Sequence, residues 1–493
     1  MPDDALIPES GISAVPDVPD EVGRPRIGVD EWVASVEGRT RASRLQRELE
    51  RIPRPALFAV FAVACALLPA VTSNGYVIRV GFDTLLYMTL ALGLNIVVGF
   101  AGLLDLGYAA FYGIGAYSYA MLASPKFGIH WPTPAVILIV VIGCAIVGLL
   151  VGLPSRRLVG DYLAIVTLFF GQLFVTVYNN GNRIPGLGDA TGGPNGIANV
   201  DPFHLFGYRL TPFNHLKAYF YIALIMFSLV LTGLYLIDRS RTGRAWRSLR
   251  EDPLAAELMG IPVNRLKLMA FTLGAGVAGL TGTIFAALNT AVFASDFDVP
   301  LLITIYAMMI LGGVGTLGGA ILGAIVVNVT LEVLRTPDHA TWVFYIAILV
   351  GLAAKLRPWR WLAAVLVGTA ALGFVAHAVA HSVDAAWTAG SVSGAGWLGD
   401  RLTHWVIVPA HPGTVGNYSF VLLIAAVTGL TALRGWAQKL ALMPVLYLTA
   451  FVWENRLVEE PSITRLILLG AVLIVLMNAR PQGLIGTARV EIA

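Results

Sequence analysis

Three carboxylates lie inside or at the ends of long apolar runs: Asp83, Asp105 and Asp161. A carboxylate surrounded by hydrocarbon is costly and marks function by default. Asp161 follows the Arg156–Arg157 pair and reads as an interfacial helix cap. Asp105 sits in the glycine-rich break "GLLDLGY", where its oxygens can satisfy backbone N–H groups freed by the break. Asp83 has no such explanation and is a candidate pathway residue. Gln172, Asn179 and Asn180, late in a further apolar run, are candidate solute contacts. In "GGVGTLGG", Gly313, Gly315 and Gly318 have GxGxxG spacing. A nucleotide site needs a strand before that motif and a helix after it, whereas apolar helix is expected on both sides here. Gly315, Gly319 and Gly323 instead repeat every four residues, which lets helices approach backbone to backbone. With Gly274, Gly279 and Gly282 they predict close-packed, broken helices that either line a path or only pack.

Other chemistries find no support. The chain contains no phosphate-binding GxxxxGK[ST], so any ATP must be hydrolysed by another subunit. His377 and His381 stand four apart, with His404 and His411 following, but spacing alone does not make a metal site. No metal and no bound cofactor are expected. Cys65 and Cys144 fall in apolar runs and behave as small hydrophobes.

The elements that must carry these residues follow from composition. Of 493 residues, 57% are hydrophobic and 13% charged, against about 25% charged in soluble domains. Mean hydropathy is +0.75. Apolar runs of bilayer-spanning length recur at 55–73, 77–100, 106–123, 133–153, 161–180, 217–237, 268–289, 300–316, 317–335, 341–356, 361–382, 416–433, 438–453 and 463–478. The fold class is therefore all-α: a polytopic membrane protein of about 14 spans with Gly-broken helices. The breaks near 106–123 and 300–335 are candidates for re-entrant segments. Residues 1–54 lack an apolar core and read as a polar cytoplasmic tail rather than a cleaved signal. The tail ends in "RTRASRLQRELERIPR" and stays inside by the positive-inside rule. Alternation then places the basic loops "PSRRLVGD", 238–267, "KLRPWRW", "RGWAQK" and "NARPQG" inside, together with both termini. Arg79, at an outer end, is the exception.

The loop 238–267 is unlike the rest. It opens with Arg239, Arg241, Arg244, Arg247 and Arg250. Asp252 can then cap a helix with Pro253 at its first position, and Gly260 can stop it. Leu254, Leu258 and Ile261 form one apolar stripe, and Ala255 and Ala256 keep a side thin. A helix of about two turns is too short to stand alone. It either rests on lipid headgroups or docks into a groove of a cytoplasmic protein.

These segments carry a resemblance. In order, "GLNIVVGFAGLLDLGYAAFYGIGAYSYAML", "GDYLAIVTLFFGQ", "TGGPNGI", "GRAWRSLREDPLAAELMGI", "GGVGTLGGAILGAI" and "RPQGLIG" resemble the LivM-type permease of branched-chain amino acid ABC importers. The resemblance implies that Asp252, Pro253, Ala255, Ala256, Leu258, Gly260 and Ile261 form the coupling helix that sits in a cleft of the ATP-hydrolysing subunit. It implies no covalent chemistry in this chain, and alternating access driven from outside it. Implied partners are a second permease, two ABC ATPase subunits and an extracytoplasmic amino acid-binding protein, in a bacterial cytoplasmic membrane and without nucleic acid. Asp83, Asp105, Gln172, Asn179, Asn180, Gly313, Gly315, Gly319 and Gly323 are the candidate pathway or packing residues.

The chain departs from the family pattern. The family ends on one span followed by "RPQGL", yet both 342–358 and 463–481 fit that description here. The expected divisions are a tail (1–54), a permease core (55–357), an added membrane region with three spans (358–462) and a final span with a cytoplasmic C-terminus (463–493). An ion-coupled secondary transporter, a permease for urea- or amide-type substrates and a non-transporting scaffold remain alternatives at this point.

Overall fold

The computed structural model describes residues 54–155, 160–181, 190–205, 208–356, 359–392, 396–409, 412–433, 435–459 and a few positions between 464 and 484. The tail 1–53, the Arg156–Arg157 pair, His411 and most of the run 463–478 lie outside the described residues. The chain divides into two units, 1–61 with 489–493 and 62–488. All that follows concerns the second, except the start of helix α1 (Arg54–Val71).

Helix dominates, as the apolar runs require: lipid offers no partner for backbone N–H and C=O groups, so the chain must satisfy them within each span. After α1 come α2 (Gly75–Leu94), a π-helical turn at Asn95–Phe100, α3 (Tyr108–Leu122), α4 (Thr133–Ser155), α5 (Asp161–Asn179) and α6 (Leu216–Arg239). Two short helices, α7 (Arg241–Glu251) and α8 (Pro253–Leu258), precede the long α9 (Val263–Asn289). Helices α10 (Val299–Gly312) and α11 (Leu317–Val333) form a hairpin. Beyond them lie α12 (Pro337–Lys355), α13 (Trp359–Val383), α14 (Gly396–Thr403), α15 (Pro412–Ala432) and α16 (Trp436–Glu459). Among the described residues, seven helical segments are long and apolar enough to cross a bilayer, and four shorter apolar helices accompany them. The break expected within 106–123 lies just before it, at 101–107; α3 itself is uninterrupted.

Helix α9 is the central element and packs on α2, α3 and α4. Its 27 residues extend about 40 Å at 1.5 Å each. In lipid, close packing replaces the hydrophobic effect as the force between helices, and the glycines of α9 serve it. A Cβ on Gly279 would lie 2.5 Å from Cys144 Sγ of α4, and one on Gly115 of α3 would collide with the Gly279 backbone. On the opposite face of α4, Leu138, Ile142, Ile146 and Leu150 repeat every four residues and are exposed, a stripe suited to acyl chains.

The hairpin of α10 and α11 is tighter still. A Cβ on Gly323 would collide with the Met308 carbonyl, and one on Gly312 with the Gly319 carbonyl. The 14 residues of α10 rise about 21 Å, short of the ~30 Å hydrocarbon core. The turn at 313–316 therefore sits at a helix break rather than in a long loop. Thr316 Oγ1 accepts from Gly319 N (3.1 Å) and donates to Gly313 O (3.0 Å), capping α11.

Loops gather at two ends. At one, Ile197–Ala198, where the "TGGPNGI" turn ends, pairs antiparallel with Ala291–Val292 just past the end of α9. Val200 N donates to Thr290 O (3.0 Å), and Asp201 N to Ala123 O (2.7 Å). At the other end lie α7, α8 and the turn of the α10–α11 hairpin. Helix α16 attaches to the flank of α12: Phe344 stacks on Trp453 (centroids 4.2 Å, planes 2° apart). Beside that stack, Tyr345 Oη donates to Glu454 Oε1 (3.2 Å). Helices α13 and α15 pack in turn on α16.

Candidate functional site

The charged loop folds from its own caps. Ser240 Oγ accepts from Thr242 N and Gly243 N (3.1 and 3.4 Å) and starts α7. Trp246 anchors α7: it is fully buried, its Nε1 donates to Leu266 O (3.0 Å), and it stacks on Phe100 of the π-turn (6.4 Å). Asp252 Oδ1 accepts from Leu254 N (2.8 Å) and Ala255 N (3.0 Å), with Pro253 at the first helical position of α8. Ile261 N then donates to Ala256 O (3.0 Å). Between them Gly260 has φ +81°, a conformation that is strained for a residue carrying a Cβ.

Helix α8 has six residues, about two turns at 3.6 residues each, and Gly260 and Ile261 form its C-terminal closure. One expectation is corrected here. Ala256 is not on the partner-facing side: it is buried within this chain, at 3% exposure. The outward face is made by Leu254 (68% exposed), Leu258 (81%) and Met259 (82%), while Ile261 is only half-exposed. Helix α8 thus presents a small apolar tip, with Ala256 packed inward and Ala255 exposed.

The tip is wired to the helix breaks. Arg250, two residues before the Asp252 cap, donates from Nη1 to Gly99 O in the π-turn (2.5 Å). In the same turn Asn95 is fully buried. Its Oδ1 accepts from Gly315 N (2.9 Å) and its Nδ2 donates to Thr316 O (3.4 Å). Gly315 has φ +85°, and a Cβ there would collide with Arg250 Nη1. Gly313 lies against Gly483 of the "RPQGL" motif, and Leu484 N donates to Leu311 O (2.9 Å). Four separate stretches, 95–99, 250, 311–316 and 483–484, meet in one node. Sequence reasoning singled out Gly313 and Gly315, named Arg250 only as one of five loop arginines, and missed Asn95. The available signal was an Asn within an apolar run, which must find a partner or remain unpaired in hydrocarbon.

The other singled-out polar residues are dispersed. Asp83 Oδ2 accepts from Arg79 Nε (3.1 Å), so the carboxylate hardest to explain and the misplaced arginine account for each other. Asp105 Oδ1 accepts from Gly107 N (2.9 Å), as expected of a break, while Tyr306 Oη donates to the Asp105 carbonyl (2.7 Å). Gln172 Nε2 donates to Asp298 Oδ1 (3.1 Å), and Asn180 Nδ2 back to Thr176 O (2.9 Å). Asn179 is half-buried late in α5. These amides do not join Asp83 in a common cavity. His381 Nδ1 is 2.8 Å from Thr388 Oγ1.

A family model described as "Branched-chain amino acid transport system / permease component" matches residues 76–353. The chain belongs to this family. It is 35% identical to the high-affinity branched-chain amino acid transport system permease protein LivM of Salmonella typhimurium over 324 residues, 62% of this chain and 73% of that protein. It is 36% identical to LivM of Escherichia coli with the same coverage. A probable branched-chain amino acid transport permease protein LivH of Methanocaldococcus jannaschii is 28% identical over half of this chain. No solved structure matches. The family match runs from α2 to α12 and contains the capped helix α8, Arg250, the π-turn and the α10–α11 turn. Helices α13 to α16 follow it.

Proposed function

We propose that this chain is a multi-pass permease subunit of an ATP-driven ABC importer for branched-chain or other apolar amino acids, in a bacterial cytoplasmic membrane. The supporting observation is the node: α8 offers an exposed apolar tip, and Arg250 ties that tip to both helix breaks. A push on Leu254 and Leu258 from a cytoplasmic partner is delivered to Gly99 and Gly315 without an intervening flexible loop. Helices with two discrete arrangements at such breaks give alternating access, and the chain itself does no covalent chemistry. The proposed assembly holds a second permease, two ATPase subunits gripping α8 and its counterpart, and an extracytoplasmic binding protein at the end carrying the 191–198 turn. The proposed topology has about fourteen spans with α7 and α8 inside and both termini cytoplasmic. The proposed division places residues 358–462 outside the permease core.

The test is reconstitution of the full complex in sealed vesicles with equal ions on both sides. ATP supplied to the cytoplasmic face should drive leucine accumulation. Accumulation driven by a proton or sodium gradient without ATP would overturn the reading, as would ATP-driven uptake of urea or amides but not of leucine.

A further inference from the structure

A cavity of about 220 Å³ opens beside the start of α2 and the ends of α9 and α11. Its rim is charged, with Arg79, Asp83 and Glu332, and Glu332 Oε1 already accepts from the exposed Arg335 (Nη1, 3.2 Å), a pair the ligand must share; its floor is Leu90, Tyr112 and Phe285. Tyr112 and Phe285 pack at 5.4 Å with their planes tilted by 58°, and both meet Phe297 edge to face (5.1 and 5.8 Å), which holds the floor in place. The rim is built as well. Arg79 Nε donates to Asp83 Oδ2 (3.1 Å) and Nη2 to Asn289 Oδ1 (2.7 Å), which fixes the plane of the guanidinium. Its Nη1 has no partner among the described residues. On the facing helix, Asn328 lines the same cavity and is held by Nδ2 donating to Thr84 Oγ1 (2.8 Å).

The mixture of signs selects a class of ligand. A simple anion would meet Asp83 and Glu332, and a simple cation would meet Arg79. A zwitterion satisfies both. The volume is below the ~300 Å³ at which pockets for drug-sized ligands begin, which suits a small metabolite. The apolar floor carries no charge to pair with an ionic side chain. A guanidinium forms two parallel hydrogen bonds to a carboxylate. The Arg79–Asp83 pair is about one third exposed at each side chain, and pairs open to solvent are weakly held, so a ligand can rearrange it.

We propose that this cavity binds the main-chain groups of an apolar α-amino acid. Arg79 receives the carboxylate, Asp83 and Glu332 receive the ammonium, and the side chain rests on Leu90, Tyr112 and Phe285. The inference rests on the importer reading above and places a substrate-contacting site within this subunit itself, at the end that carries the 191–198 turn.

The test is cysteine protection in the purified full complex, in a Cys65→Ser background. Val80→Cys and, separately, Phe285→Cys place a thiol in the cavity lining, and either suffices if the other fails to insert. Both are labelled with a small aqueous thiol reagent. Leucine at about ten times its half-protecting concentration should slow labelling about tenfold by mass action. Isoamylamine, lacking the carboxylate, and 4-methylpentanoate, lacking the ammonium, should each need at least about tenfold more for the same effect. Arg79→Gln added to either cysteine variant should remove the protection by leucine. The proposal is overturned if leucine protects neither cysteine in a complex that imports it, or if the amine alone protects as well as leucine. A complex that imports no leucine with ATP overturns the importer reading instead, whatever the labelling shows.

Discussion

Arg250→Met cuts the wire between the apolar tip and the helix breaks while leaving the tip in place. Methionine keeps an unbranched stem, so the contact with Gly102, where a Cβ would lie 2.9 Å from Arg250 Cγ, is preserved. What goes is the charged donor to Gly99 O at 2.5 Å. Hydrogen bonds to charged groups contribute about 1.5–3 kcal/mol, and Arg250 is only half-buried, so the lower end, about 1.5 kcal/mol, applies. Since about 1.4 kcal/mol is a factor of ten, leucine transported per ATP hydrolysed should fall about tenfold. The assay is that ratio, measured in vesicles holding the whole complex. Co-purification of the ATPase subunits should not change, because Leu254 and Leu258 are untouched. Arg247→Met is the control: Arg247 Nη2 donates to Asp238 O (2.7 Å) within the same loop and does not reach the breaks. If Arg250→Met leaves the ratio within about twofold of wild type, or if Arg247→Met lowers it equally, the node does not transmit and the reasoning fails.

Leu258→Glu, at an exposed position, should abolish ATPase co-purification while membrane levels stay normal. Ala256→Glu should instead lower the level of folded protein in detergent, since an unpaired buried charge costs several kcal/mol; equal behaviour of the two variants would contradict the two-sided α8. A deletion joining Leu356 to Arg480 keeps one final helix and the "RPQGL" tail. Uptake corrected for membrane level should stay within a few-fold of the full chain, and its loss with normal ATPase association would make α13 to α16 part of the machinery.

Most helices were legible because the apolar runs are solid and their ends carry Gly, Pro or charge. The run 133–153 became α4 almost residue for residue. The Asp252–Pro253 start and the Gly260 stop of α8 were legible for the same reason: each is a backbone requirement that few residue types meet. Helix α7 was not, since its arginines dominate the composition and hide the Trp246–Leu249 side that buries it. The inward side of Ala256 was missed because in a helix of six residues a stripe of leucines marks an apolar face without saying which neighbour it meets. The Arg79–Asp83 pair was open to reading from its i, i+4 spacing, since such pairs attract on a helix surface. The node at Asn95 was out of reach, because its partners lie more than 200 residues away, at Gly315 and Thr316, and nothing local announces a π-turn.

Helix α9 touches both ends of the permease. It begins one residue after Pro262, beside α8, and finishes at Asn289, where the next residues pair with Ile197 and Ala198. Thermodynamic linkage makes any coupling along such a rod reciprocal. If a receptor docked at the 191–198 turn changes the affinity of α8 for its ATPase by some factor, then the ATPase must change the affinity of the turn for the receptor by the same factor. A signal arriving from outside and a stroke arriving from inside are then one free energy measured at two ends, and a titration at either end determines both.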